Sequence, residues 1–186
     1  VYTPGTDGRS EGVLAQLASI EEVAAAGVDA VMTYLYLGQR DSRLERAEIE
    51  RNARVVRDCE RLGIGVIIEP RSALEGSDPA SHSARVMTTY CRIAADIGAD
   101  LVKVVWPEDL DAWQQITETC FAPVLLAGGP GGDDDAGTLR LAEQTVERGG
   151  AGVMFGRRVF RSGDPARVLS GLNAVIHNGV PADRAL

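Results

Sequence analysis

The sequence predicts an α/β fold: a (βα)8 TIM barrel, as a single domain over residues 1–186, with its first two to three βα units absent from this chain. Three observations lead there. Five apolar segments are too continuous for half-exposed strands and read as buried parallel ones. Each is followed by a helical stretch, and strand starts recur every two to three dozen residues, the rhythm of repeated βα units. Glycine-containing endings also recur before strands, in "AAGVDAV", "RLGIGVI", "DIGADLV" and "RGGAGVM". Such self-similarity favours a closed barrel over an open sheet.

In chain order, residues 1–19 are loop-like and supply no clear strand. "SIEEVAAAG" reads as a helix with Ser19 as N-cap and Gly27 at its end. "DAVMTYLYLG" (29–38) is the first strand. "LERAEIERNARVVRDCERLG" puts Leu44, Ile49, Ala53, Val56 and Leu62 near one face and charge on the other. "IGVIIEP" (64–70) follows, then the helix "SHSARVMTTYCRIAADIG". The third and fourth strands are "DLVKVVW" (100–106) and "APVLLAGG" (122–129), with "TLRLAEQTVERGG" helical after them. "AGVMFG" (151–156) is the fifth strand. The last helix, "DPARVLSGLNAVIHNG", opens with Asp164 as N-cap and Pro165 at the first helical position, and closes at Gly179. Five units leave two open sheet edges, which soluble proteins rarely tolerate. The functional polypeptide is therefore expected to be longer than 186 residues, or to have its edges covered by another subunit.

The net charge of -8 argues against nucleic acid and anionic membranes as partners. No apolar run approaches the ~20 residues of a membrane span. Cys59, Cys91 and Cys120 are odd in number and form no CxxC pair, which suggests reduced thiols in a cytoplasmic protein.

Of nineteen Lys and Arg residues, eighteen are arginine, and the one lysine, Lys103, sits inside an apolar strand. Active-site residues of such barrels lie at the C-terminal ends of strands. A lysine facing the interior would be desolvated, and burial disfavours the ammonium. A neutral amine attacks carbonyls and forms Schiff bases, which arginine cannot do. The alternative is a structural lysine paired with a carboxylate such as Glu69. Glu69, in "IIEPR", is in turn either a general acid/base or a salt-bridge partner of Arg71 or Lys103. Tyr34 and Tyr36 share one face of the first strand, for substrate contact or for packing. "LLAGGPGG" and "FGRR" end the last two strands. Glycines there let backbone N–H groups approach a phosphate, with Arg157 adding a charged fork. The other reading is a tight turn at Gly128 and Gly129. His82 and His177 have no second ligand nearby in sequence, and "GGDDDAG" reads as a helix entry, so a zinc mechanism has little support.

"GADLVKVVWPED", "APVLLAGGPGGDD" and "GGAGVMFGRRVFRSGDPARVLSGLNAVIHNG" resemble the class I aldolases of the archaeal fructose-bisphosphate aldolase type, the DhnA-type family. That group includes aminodideoxyheptulosonate synthase and the autoinducer-2 phosphate thiolase, to which the tail "VIHNGVPADRAL" is similar. The resemblance runs from about Gly12 to the end and implies Lys103 as the Schiff-base lysine. It also implies phosphate loops at Gly128, Gly129, Gly156 and Arg157, and Arg71, as the arginine of the family's Tyr-Pro-Arg stretch, among the substrate- and phosphate-binding residues. Glu69 departs from that stretch by replacing its tyrosine acid/base, and Tyr34 stands where a histidine is common.

The implied activity is a metal-independent aldolase, lyase or synthase, on a phosphorylated ketose or ketone. It needs no cofactor beyond the covalent adduct on Lys103, and the family leads one to expect a homo-oligomer. Acyl transfer to coenzyme A and a non-catalytic sugar-phosphate-binding barrel are the competing readings.

Overall fold

The computed structural model describes residues 14–74, 83–107, 109–129 and 134–186. Its strands are β1 (Ala30–Leu37), β2 (Gly65–Ser72), β3 (Leu101–Val104), β4 (Val124–Ala127) and β5 (Gly152–Met154). All pairings are parallel and the sheet order is β1-β2-β3-β4-β5. The five expected strands are thus all present among the described residues. β3 ends at Val104, so Val105 and Trp106 lie beyond it.

Helices connect the strands: α1 (Ile20–Ala25), α2 (Ser42–Leu62), α3 (Ala84–Ile97), α4 (Leu110–Thr119), α5 (Asp135–Glu147), α6 (Arg157–Phe160) and α7 (Pro165–Asn178). Their ends follow local chemistry. Ser19 and Glu22 form a reciprocal capping box at α1. Asp164 accepts from the Arg167 amide and Pro165 opens α7. Gly63, Gly98 and Gly179 close α2, α3 and α7 in the left-handed conformation.

Alternation along the strands sorts the residues into two layers. Leu35, Leu37, Val66, Ile68, Val102, Val104, Val124 and Leu126 are buried beneath the helices, with Met87, Cys91, Trp113 and Ile116 on the helix side. Trp113 donates its indole N–H to the Thr145 carbonyl at 3.1 Å and stacks on Trp106. A second cluster, around Leu139, Val168 and Leu172, joins α5 to α7. The opposite strand face carries Met32, Tyr34, Glu69, Arg71 and Lys103.

β1 lies at the edge of this sheet, and α2 covers part of that edge. The Tyr34 carbonyl accepts from Arg51 Nη2 at 2.6 Å and Asn52 Nδ2 at 3.1 Å. The Tyr36 amide donates to Glu48 Oε2 at 3.3 Å. Arg51 and Glu48 are themselves ion-paired at 2.8 Å and largely buried. Beyond the strand, Glu45 Oε2 accepts from the Gly38 and Gln39 amides.

Gly38 has φ +77, and a Cβ there would collide with the Tyr90 hydroxyl. Gly38→Ala is expected to cost about 1–2 kcal/mol from the backbone conformation alone, with a further loss from the collision. Tyr90→Phe in the same chain should recover the steric part. Equal urea midpoints for Gly38→Ala and wild type would show that this loop yields freely.

Candidate active site

The pairing register assembles the site. Ile67 lies opposite Leu101 and Ile68 opposite Val102, which brings Glu69 of β2 level with Lys103 of β3. Tyr34 of β1 lies opposite Glu69. Three residues distant in sequence therefore share one level in the C-terminal halves of adjacent strands.

Lys103 Nζ is 2.8 Å from Glu69 Oε2, with side-chain exposures of 15% and 2%. Arg71, two residues along β2 and on the same face, donates from Nη1 to Glu69 Oε1 at 2.9 Å. One buried carboxylate thus lies between two cations. Lys103 Nζ also donates to Met32 Sδ at 3.7 Å. The salt-bridge reading of both Lys103 and Glu69 is realised. Glu69 faces the amine across the register. Met32 carries no signal in the sequence that ties it to the lysine; only the strand pairing reveals it.

The rings of Tyr34 and Tyr36 lie 6.1 Å apart on the same face. Tyr34 is half-buried beside the carboxylate.

At the ends of β4 and β5, Arg157 Nη2 donates to the Gly129 carbonyl and Arg158 Nε to the Gly128 carbonyl, each at 2.7 Å. Gly129 has φ +63, a left-handed conformation that side chains rarely adopt. Gly156 precedes α6 as its cap residue. The two loops are cross-tied through arginines, and Arg158 is a member of this group that the sequence reading passed over. The "RR" pair itself was the signal.

Other nucleophiles are unsuited to compete with the lysine. Burial is the main cause that pushes the Cys91 and Cys120 thiols up, so both remain protonated at neutral pH. Cys59 is shifted the same way, again chiefly by burial. Among the described residues, no group of three or more His, Cys, Asp or Glu is arranged to hold a metal ion. His177 lies in the last turn of α7, and His82 lies outside the described residues.

The site is thus a lysine and a carboxylate on adjacent parallel strands, with arginine-tied loops after β4 and β5. The chain belongs to the DeoC/LacD family aldolases, whose sequence model matches residues 3–162. It is 31% identical over 169 residues to 2-amino-3,7-dideoxy-D-threo-hept-6-ulosonate synthase of Halobacterium salinarum, covering 90% of this chain and 61% of that protein. It is 33% identical over 166 residues to 2-amino-4,5-dihydroxy-6-oxo-7-(phosphonooxy)heptanoate synthase of Streptomyces griseus, covering 87% and 58%. A solved Schiff-base-forming fructose-1,6-bisphosphate aldolase superposes with a TM-score of 0.77 at 25% identity, over 88% of this chain and 64% of that one. The chain spans about three fifths of the length of these relatives. The fold expectation and the family resemblance are both borne out.

Removing the lysine tests the ion pair. A buried carboxylate that loses a counter-charge is destabilised, although Arg71 remains on the other oxygen. Lys103→Met is therefore expected to lower stability by about 1–3 kcal/mol, the scale of an unsatisfied buried group. Treated only as a buried ionisable group, the lysine gives the opposite sign, since its removal would then relieve a desolvation cost. Urea unfolding of the two proteins decides between them.

Proposed function

We propose that this site performs class I aldolase chemistry, as a lyase or synthase, on a phosphorylated ketose or ketone. The observation that carries the reading is the pairing of Lys103 with Glu69 at the strand ends. Lys103 is the chain's one lysine. A primary amine is the side chain that condenses with a carbonyl. In that step the amine adds to the carbonyl carbon and water leaves, giving an iminium. The iminium is an electron sink that eases cleavage or formation of the adjacent C–C bond. Glu69 Oε2, beside the amine, is within reach to take and return protons, with Tyr34 next to it as a second proton donor.

Gly128, Gly129, Gly156 and Arg157 hold the phosphate in this reading. The cross-ties from Arg157 and Arg158 shape a cradle of backbone groups and guanidinium at the ends of β4 and β5. A phosphate fixed there would aim the carbonyl of the same molecule at β3, which is the advantage of orientation. The names of the Streptomyces griseus relative and of the solved aldolase include phosphorylated compounds, which supports this assignment.

Borohydride added with dihydroxyacetone phosphate should fix a covalent adduct that maps to Lys103 by peptide mass. Lys103→Arg keeps a positive charge but should abolish trapping with the fold retained, because guanidinium does not deprotonate. An adduct elsewhere, or trapping that survives in Lys103→Arg, would refute the Schiff-base reading. Arg157→Ala should weaken binding of the phosphorylated ketone by ~1.5–3 kcal/mol, the scale of hydrogen bonds to charged groups. It should leave dihydroxyacetone almost unaffected; equal losses for both would assign Arg157 to structure.

A further inference from the structure

We propose that Arg71 is a positioning residue that acts through Glu69, and that it makes Oε2 the oxygen that exchanges protons with substrate. This rests on the Schiff-base reading above and adds a role that the resemblance does not imply, since the resemblance places Arg71 on the substrate.

The carboxylate is 2% exposed and its two oxygens differ. Oε1 accepts a hydrogen bond from Arg71 Nη1 at 2.9 Å. Oε2 lies 2.8 Å from the Lys103 amine yet accepts no aligned hydrogen bond. A carboxylate turns about its last bond unless something fixes it, because that torsion is broad. Arg71 supplies the fixing contact from the same strand face, reaching back along β2. With Oε1 occupied, the oxygen with capacity left points to the amine, where the iminium would form. Arg71 also stands on β2, two strand spacings, or roughly 10 Å, from the β4 loop that would hold phosphate.

The step is a proton transfer. In the iminium on Lys103, the C–H bond next to the former carbonyl breaks. Its electron pair forms the enamine double bond while the iminium π pair moves to nitrogen. The proton goes to Glu69 Oε2 and returns from there when the enamine is protonated.

The experiment is a double-mutant cycle on the full chain, using Glu69→Gln, Arg71→Ala and both together. The readout is exchange of the ketone's α-proton with deuterium oxide, followed by NMR, with dihydroxyacetone phosphate and with dihydroxyacetone. Each single variant is expected to slow exchange at saturation by about 10²-fold or more, the scale of general acid–base catalysis. The half-saturating concentration should not change, and the adduct on Lys103 should still form. The double variant should be no slower than Glu69→Gln alone, and added guanidinium ion should restore part of the rate to Arg71→Ala but not to the double variant.

Losses that multiply in the double variant would overturn the proposal. So would a rise in half-saturation confined to the phosphorylated ketone, which would make Arg71 a phosphate ligand. Failure of the wild type to form any adduct would sink the Schiff-base reading and this inference with it. An adduct together with multiplied losses would sink this inference alone.

Discussion

One buried carboxylate organises the open end of this sheet. Glu69 is almost fully removed from water, and an isolated ionised carboxylate in that position costs several kcal/mol after relaxation. It is held there by Lys103 from the neighbouring strand and Arg71 from its own. The Lys103 contact depends on the β2–β3 register, because a slip of one residue would turn Lys103 to the helix side. The ion pair and the strand pairing therefore specify each other. The apolar layer of Ile68, Val102 and Val104 beneath provides the free energy, and the charged layer above selects the register.

The division of the sheet into two layers also separates stability from chemistry. The layer packed against α2, α3 and α4 is mainly apolar, with the Trp106–Trp113 stack closing the far side of β3. Lys103, Glu69, Arg71 and Tyr34 lie on the other face. The loops after β4 and β5 are tied to each other by arginine-to-carbonyl bonds, so the proposed phosphate cradle is fixed before any ligand arrives. Pre-organisation of this kind reduces the ordering that binding would otherwise cost.

Much of this was legible in the residues. Continuous apolar runs marked all five strands, and Gly63, Gly98 and Gly179 marked helix ends because only a left-handed residue closes them in this way. Lys103 stood out as the one lysine among arginines. Its partner could be named only as one candidate, since 34 residues separate it from Glu69 and pairing register is not written in either segment. α4 carried little signal. "LDAWQQITET" ends at Cys120 in an extended conformation, with no glycine to mark the stop, and only Ala112, Trp113 and Ile116 turn inward. The ties among Glu48, Arg51, Asn52 and the β1 backbone could not be foreseen, because the charged residues of α2 look like an ordinary solvated face until the edge strand is placed beside them.

Those ties have a consequence for how copies of the chain meet at high concentration. An exposed strand edge is a template for cross-β stacking, and its danger grows with the length of backbone it offers. Here the Tyr34 carbonyl and Tyr36 amide already have side-chain partners. An incoming strand would have to expel a buried ion pair to continue past Thr33. These ties leave less of the β1 backbone open to pairing with another strand. The polar face of α2 thus occupies backbone groups that an edge strand would otherwise offer to another chain.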